Sequence, residues 1–232
     1  MIRVTGVWKR FDDRPVLRGV DLEVPDGEAV VILGASGIGK SVLLRVIAGL
    51  LPADSGTVSY DGCPLSFGLL AAGHPAFGQI GYVFQGGALF DSLTVYDNVA
   101  LPLRETRRLT APEVRARVRS ALARTGMVDC ERLMPAELSG GMTRLVAIAR
   151  ALAADPKYVF YDEPTTGLDP VMRGRVLELI VGLRRVEGMT SVIVTHDLAA
   201  AEQLADRIQM LREGRLVSLE GARREHYEPQ GA

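Results

Sequence analysis

The stretch GASGIGKS, Gly34 to Ser41, constrains this 232-residue chain more than any other. It satisfies G-x-x-x-x-G-K-[ST] and lies between an apolar run ending in glycine, EAVVILG, and a helix-type run from Lys40 to Leu50. A strand, a glycine loop and a helix in that order make a phosphate cradle. Glycines let the backbone turn its N–H groups inward, Lys40 reaches β- and γ-phosphates, and the Ser41 hydroxyl ligates Mg²⁺. Gly34, Ala35, Ser36, Gly37, Ile38, Gly39, Lys40 and Ser41 are therefore the candidate nucleotide-binding residues. Arginine dominates the basic residues and the lysines are only Lys9, Lys40 and Lys157, so a lysine inside this loop is informative.

Three further apolar runs end in polar side chains. YVFYDEP delivers Asp162 to the carboxyl end of a strand, where it holds the Mg²⁺ hydration shell, and Glu163 follows as the group that orients or deprotonates water. His196 ends VIVTH, and ligand contacts gather at the carboxyl ends of parallel strands in open α/β sheets, so a γ-phosphate contact is expected of it. Gln85 closes GYVFQ and is expected to touch Mg²⁺ or water. Phe11, in WKRFDDRPVL, is read as an adenine-stacking ring; Trp8 competes for that role, and core packing is the alternative for both. His74 and His226 lack such a context and are expected at the surface.

The first third of the chain alternates β-type runs with turns: IRVTGVWKRF, VLRGVDLEV, EAVVILG after Pro25-Asp26-Gly27, then GTVSYDG and QIGYVFQ. From Asp91 to Ala153 the pattern is helical, with capping signatures at Thr94 with Asp97 and at Thr110 with Glu113, the latter with Pro112 in the first turn. Val114, Val118 and Leu122 share one helix face. After Pro156 an α/β rhythm returns: strand KYVFYDE, helix Val171 to Val186, strand TSVIVTH, helix Leu198 to Ala205 and hairpin RIQMLREGRLV. A helical insertion within a parallel α/β core accounts for this order.

Inside that insertion, ELSGGM puts Ser139, Gly140 and Gly141 at the head of a helix read as Met142 to Ala153. Free backbone N–H groups and the positive end of the helix dipole make this a second anion cradle. It stands outside the strand-edge row of Lys40, Gln85, Asp162 and His196. Two copies arranged head to tail would close each nucleotide between the loop of one and the serine-glycine cap of the other. Just after Gln85, Leu89, Phe90, Leu93, Val95 and Tyr96 are more apolar than a solvated connection needs, and part of this surface is expected to form a groove for a short helix of a partner.

Composition narrows the partners. A net charge of −1, from 27 basic and 28 acidic residues, provides no global field for nucleic acid or an anionic membrane. The run RETRRLTAPEVRARVRSALAR reads as a solvated helix face, since no stacking aromatics are interleaved. Cys63 and Cys130, without C-x-x-C spacing, argue against a zinc site or disulfide framework and suit a reducing cytoplasm. No basic-apolar-small leader opens the sequence. Runs such as AVVIL and YVFY fall far short of the roughly 20 residues that cross a bilayer, so a membrane role is expected to be borrowed from another subunit.

The order of phosphate loop, Gln85, LSGGM, YVFYDE, GLDP and His196 resembles the ATP-binding-cassette (ABC) ATPases over essentially the full chain. The resemblance implies an α/β P-loop NTPase core with an N-terminal antiparallel β subdomain and an inserted α-helical subdomain. Residues 1–85 and 156–232 would form the β subdomain and nucleotide core, and 86–155 the helical lobe. It implies hydrolysis of ATP to ADP and phosphate with Mg²⁺, and a sandwich dimer with Asp169 of GLDP near the facing subunit. The lobe would grip an integral membrane permease, placing a cytoplasmic protein on the inner face of the bacterial inner or plasma membrane, with no nucleic-acid partner. GIGKSVLL, FQGGALFDSLTVYDNVALPLRE, LMPAELSGGM and DEPTTGLDP look more narrowly like the lipid-trafficking ATPases of maintenance-of-lipid-asymmetry (Mla) and mammalian-cell-entry (MCE) type. That likeness implies a lipid cargo and an MCE-type lipid-binding subunit. Met142 after LSGG is among its discriminating points, whereas Leu145 stands where relatives more often carry a basic residue. A lipoprotein-release or cell-division type shares LTVYDNVA but fits FQGGALFDS and SGGM less well. Soluble cassette proteins of DNA repair or translation usually carry a second cassette, a coiled coil or a zinc module.

Overall fold

The computed structural model describes residues 1–65, 73–106 and 109–219. The chain opens with strands β1 (Ile2–Phe11), β2 (Arg14–Val24) and β3 (Ala29–Leu33), helix α1 (Lys40–Ile47), and strands β4 (Ser55–Tyr60), β5 (Cys63–Pro64) and β6 (Ile80–Val83). Helices α2 (Val95–Thr106), α3 (Ala111–Arg124) and α4 (Gly140–Leu152) follow, with a 3₁₀ turn at Pro135–Glu137 before α4. The α/β rhythm then runs through β7 (Tyr158–Asp162), α5 (Pro170–Glu187), β8 (Thr190–Thr195), α6 (Leu198–Leu204), β9 (Arg207–Arg212) and β10 (Arg215–Ser218). These elements fall into two compact units, Met1–Pro75 with Val192–Ala232, and Ala76–Ser191.

In the first unit an antiparallel sheet has the order β2-β1-β4-β5. Phe11 pairs with Arg14 across a two-residue turn, so β2 starts two residues earlier than VLRGVDLEV suggests. In β1 the inward side chains Ile2, Val4 and Val7 are buried, the signature of a sheet with one face on a core. The same unit holds β9 between β3, to which it is parallel, and the antiparallel β10, with β8 on the other side of β3. All five residues of β3 are buried, as expected of a strand covered on both faces. Arg18 N–H donates to the Gly214 carbonyl at 2.8 Å and ties β2 to the β9–β10 turn. His74, expected at the surface, is half-buried: its Nε2 lies 3.2 Å from the Cys63 carbonyl oxygen and its ring stands edge-on to Tyr60. His226 lies outside the described residues.

In the second unit β6 and β7 pair in parallel, Ile80 with Tyr158 through Val83 with Tyr161. Between them the chain makes the helical insertion. Helix α4 is its centre, buried continuously from Arg144 to Leu152, and α2 and α3 pack on it and on each other. The buried face of α3 is Val114, Val118, Ala121 and Leu122, and the Thr110 N–H donates to Glu113 at 2.7 Å in the expected cap. Helix α1 stops at Ile47 rather than Leu50, because Gly49 turns left-handed at φ 70°. Helix α4 begins two residues before Met142. Ser139 Oγ accepts the Met142 N–H at 3.2 Å, so both glycines fall in the first turn, where their N–H groups need no helical partner. Among the described residues no helix is long and apolar enough to cross a membrane.

Candidate functional site

The first unit carries the loop from Gly34 to Ser41. The Gly34 N–H donates to the Thr195 carbonyl at 3.3 Å, rooting the loop beside the end of β8, where His196 follows, exposed. Ala35, Ser36 and Gly37 are exposed, while Lys40 beneath them is buried and donates Nζ–H to the carbonyls of Gly34 at 2.9 Å and Ala35 at 3.0 Å. Gly39 has φ 109°, and a Cβ there would lie 2.6 Å from Val16 Cγ1, so only glycine allows α1 to start against β2. Gly39 has no capping side chain and the first turn of α1 contains no acidic residue. Its N-terminal N–H groups, with Ser41 one residue in, thus suit an anion and the metal that accompanies it.

At the end of β1 both candidate stacking rings are exposed, Trp8 by 43% and Phe11 by 46%, which removes core packing as their role. Trp8 lies on Gly19, its Nε1 3.2 Å from where a Cβ would be. Phe11 projects beyond it, with Lys9 Nζ 5.5 Å from its ring centre. Asp54 holds this corner, accepting from Lys9 Nζ at 2.8 Å and from the Arg10 N–H at 2.7 Å. The Lys9 hydrogen bond first, and the Arg10 bond second, hold the Asp54 carboxyl below its ordinary value.

The second unit carries Gln85, Asp162 and Glu163. The parallel register of β6 and β7 brings their carboxyl ends together, so the exposed Gln85 and the buried Asp162 leave the same edge. Tyr82 donates its hydroxyl to Asp162 Oδ2 at 3.2 Å. Glu163 is buried with φ 49°, a left-handed conformation that non-glycine residues seldom adopt and that turns the chain sharply off the strand. Thr166 Oγ1 donates to Glu163 Oε2 at 2.9 Å.

The serine-glycine cap belongs to this unit as well. Ser139 and Gly140 are exposed, and a Cβ at Gly141 would lie 2.5 Å from Met172 Cε in α5. Two residues before α5 reaches Val171, Asp169 caps it: Oδ1 accepts the N–H groups of Val171 at 3.0 Å and Met172 at 3.1 Å. The Asp-Pro pair opening a helix was the available signal for that cap. Through Met172, the exposed caps Ser139 and Asp169 are linked in one chain.

Sequence reasoning missed the polar side chains that organise the Gln85 turn. Arg144 and Arg150 on α4 are buried and bond backbone carbonyls, Arg150 those of Ala88 and Gly87, both at 2.8 Å. Asn98, fully buried on α2, accepts the Phe90 N–H at 2.8 Å and donates to the carbonyls of Leu93 and Thr94 at 3.0 Å. The turn thereby holds Phe90 at 53% exposure on a groove of about 580 Å³, whose walls include Ile80, Phe84, Leu89, Leu101 and Pro102. Arginines within an otherwise apolar helical run were the one signal available.

The family model described as ABC transporter matches residues 17–166. The chain belongs to the ABC transporter family. This ABC transporter ATPase is 43% identical over 218 residues to the glutamate transport ATP-binding protein GluA of Corynebacterium glutamicum, covering 94% of the chain and 89% of the relative. It is 38% identical to the intermembrane phospholipid transport system ATP-binding protein MlaF of Escherichia coli, over 89% of the chain and 77% of the relative. Among solved structures it is similar to the ATP-binding cassette MJ0796, a dimer in a post-hydrolysis state bound to ADP and Pi, with TM-score 0.84 and 33% identity over 93% of the chain and 96% of that structure. The ABC ATPase fold follows, an α/β core with an N-terminal antiparallel sheet, and so does the activity: the protein is an ATP-hydrolysing subunit of an ABC transporter.

Proposed function

We propose that this ATPase works as a head-to-tail pair, peripheral on the inner face of a bacterial inner or plasma membrane, and drives phospholipid or a related lipid through a separate integral membrane permease. The observation that carries the coupling is the apolar groove that opens directly after Gln85, lined by Phe84, Leu89 and Phe90. It suits the apolar face of a short permease helix. Residues 86–155 act as the lobe that meets the permease, and residues 1–85 with 156–232 as the β subdomain and nucleotide core. The lipid assignment is supported by FQGGALFDS and LSGGM and by the likeness to MlaF, which also favours an MCE-type lipid-binding subunit as a further partner.

In this reading Gly34, Ala35, Ser36, Gly37, Ile38 and Gly39 enclose the phosphates with their N–H groups, Lys40 neutralises β- and γ-oxygens, and Phe11 stacks on adenine. Ser41, Gln85 and Asp162 offer hydroxyl, amide and carboxylate oxygens, a donor set that suits Mg²⁺, which supplies charge neutralisation to the phosphates when bound. Glu163 takes the proton of the attacking water, and His196 contacts the γ-phosphate. Ser139, Gly140, Gly141 and Asp169 serve the nucleotide of the second copy.

A second reading, import of a small polar solute, is favoured by the higher identity to GluA. Purifying the assembled complex and identifying its extracted lipids separates the two. Enriched phospholipid and ATP-dependent lipid movement are expected, and a complex that moves only polar solutes refutes the lipid reading. Phe90→Glu tests the groove: a charge forced into an apolar contact should abolish permease co-purification while ATP binding persists.

A further inference from the structure

The turn after β6 runs through three successive left-handed residues, Gly86, Gly87 and Ala88. Glycine has few intrinsic preferences to hold such a backbone, and Ala88 adopts it at a cost. Helix α4 holds it instead. Arg150 grips the far side at Gly87 and Ala88, and Arg144 grips the near side, donating Nη1–H to the Phe84 carbonyl at 3.2 Å. The other arm of Arg144 donates Nη2–H to the Thr166 carbonyl, also at 3.2 Å. Thr166 is the residue whose hydroxyl holds Glu163. Neither arginine forms an ion pair among the described residues. Burial pushes both guanidinium groups below their ordinary value, and for Arg144 the neighbouring Asp162 carboxylate opposes that shift.

We propose that Arg144 is a positioning residue for hydrolysis: its guanidinium fork spans the carbonyl before Gln85 and the carbonyl that follows Glu163 by three residues, and so holds the two water-handling side chains in register. Burying a guanidinium against two neutral carbonyls, with the Asp162 carboxylate nearby but outside ion-pair distance, is costly for a purely structural brace. The return is geometric. A fork whose two nitrogens are held at a fixed spacing sets the separation of two loops, which the three donors of an ammonium, all on one nitrogen, do not reproduce. Because the anchor lies on the helix that Ser139 caps, a displacement of that cap by a second nucleotide reaches Gln85 and Glu163 through the same side chain.

The inference rests on the roles proposed above for Gln85 and Glu163, and Glu163→Gln is the control that separates the two. In the assembled complex of the full-length chain, ATP turnover, ATP affinity and melting temperature are measured for Arg144→Ala, Arg144→Lys and Glu163→Gln. Arg144→Ala is expected to lower kcat roughly 10–100-fold with ATP affinity within about twofold. Arg144→Lys should recover only part of the turnover while melting as the wild type. Turnover within about twofold of wild type in Arg144→Ala, or full turnover in Arg144→Lys, overturns the proposal. So does a parallel loss of turnover, affinity and melting transition in both Arg144 variants, which would mark a brace only. Should Glu163→Gln itself turn over near the wild-type rate, the base assignment fails, and the ground for the inference goes with it.

Discussion

Thr166→Val isolates one hydroxyl. The side chain keeps its branching but loses the donor 2.9 Å from Glu163 Oε2. A hydrogen bond to a charged group is worth about 1.5–3 kcal/mol, and Thr166 is only half-buried, so the lower end applies. About 1.5 kcal/mol is roughly tenfold in kcat. Glu163, at a left-handed residue with φ 49°, loses the hydrogen bond that orients its carboxylate. ATP affinity stays unchanged, because the bound ground state does not use the base. Phosphate release measured against ATP concentration, with parallel nucleotide-binding titrations, reads turnover and affinity separately. Thr166→Ser retains the hydroxyl and should stay near wild type. A Thr166→Val protein within twofold of wild type, or an equal loss in Thr166→Ser, would refute the tether.

Gly87→Ala should destabilise the protein by about 1–2 kcal/mol in chemical denaturation, and more than Gly86→Ala. Both residues are left-handed, but a Cβ at Gly87 lies 3.0 Å from Thr143 Cγ2 and one at Gly86 meets nothing within 4 Å; equal losses would mean that packing on α4 is unimportant. Asp54→Asn should lower the melting temperature at neutral pH and not in acid. The folded Asp54 carboxyl is depressed below 3.8, so its contribution is complete above that value and is lost as pH falls through the lower folded pKa; a difference that persists in strong acid would contradict the Lys9 and Arg10 bonds as its cause.

Much of this protein is written in short-range signals. The phosphate loop, the strand-end residues Gln85, Asp162, Glu163 and His196, and the caps at Thr110 and Ser139 are legible because each depends on neighbours within a turn or two of backbone. A glycine that must be left-handed, an oxygen that must cap, and an apolar run that must be buried leave marks at fixed spacing. Their limits are local too: glycines after Ser139 hid the first turn of α4, and Asp169 showed its pairing with Pro170 but not its exposure beside Met172. The tertiary structure alone settled the rest. Whether Trp8 and Phe11 were core or surface depended on what packed over β1, and His74 is half-buried because Tyr60 of β4 and Cys63 of β5 approach it. Arg144 and Arg150 reach carbonyls 60 and 62 residues away. A carbonyl acceptor belongs to every residue and leaves no trace in the identity of its side chain, so such a partner emerges only when the chain is folded.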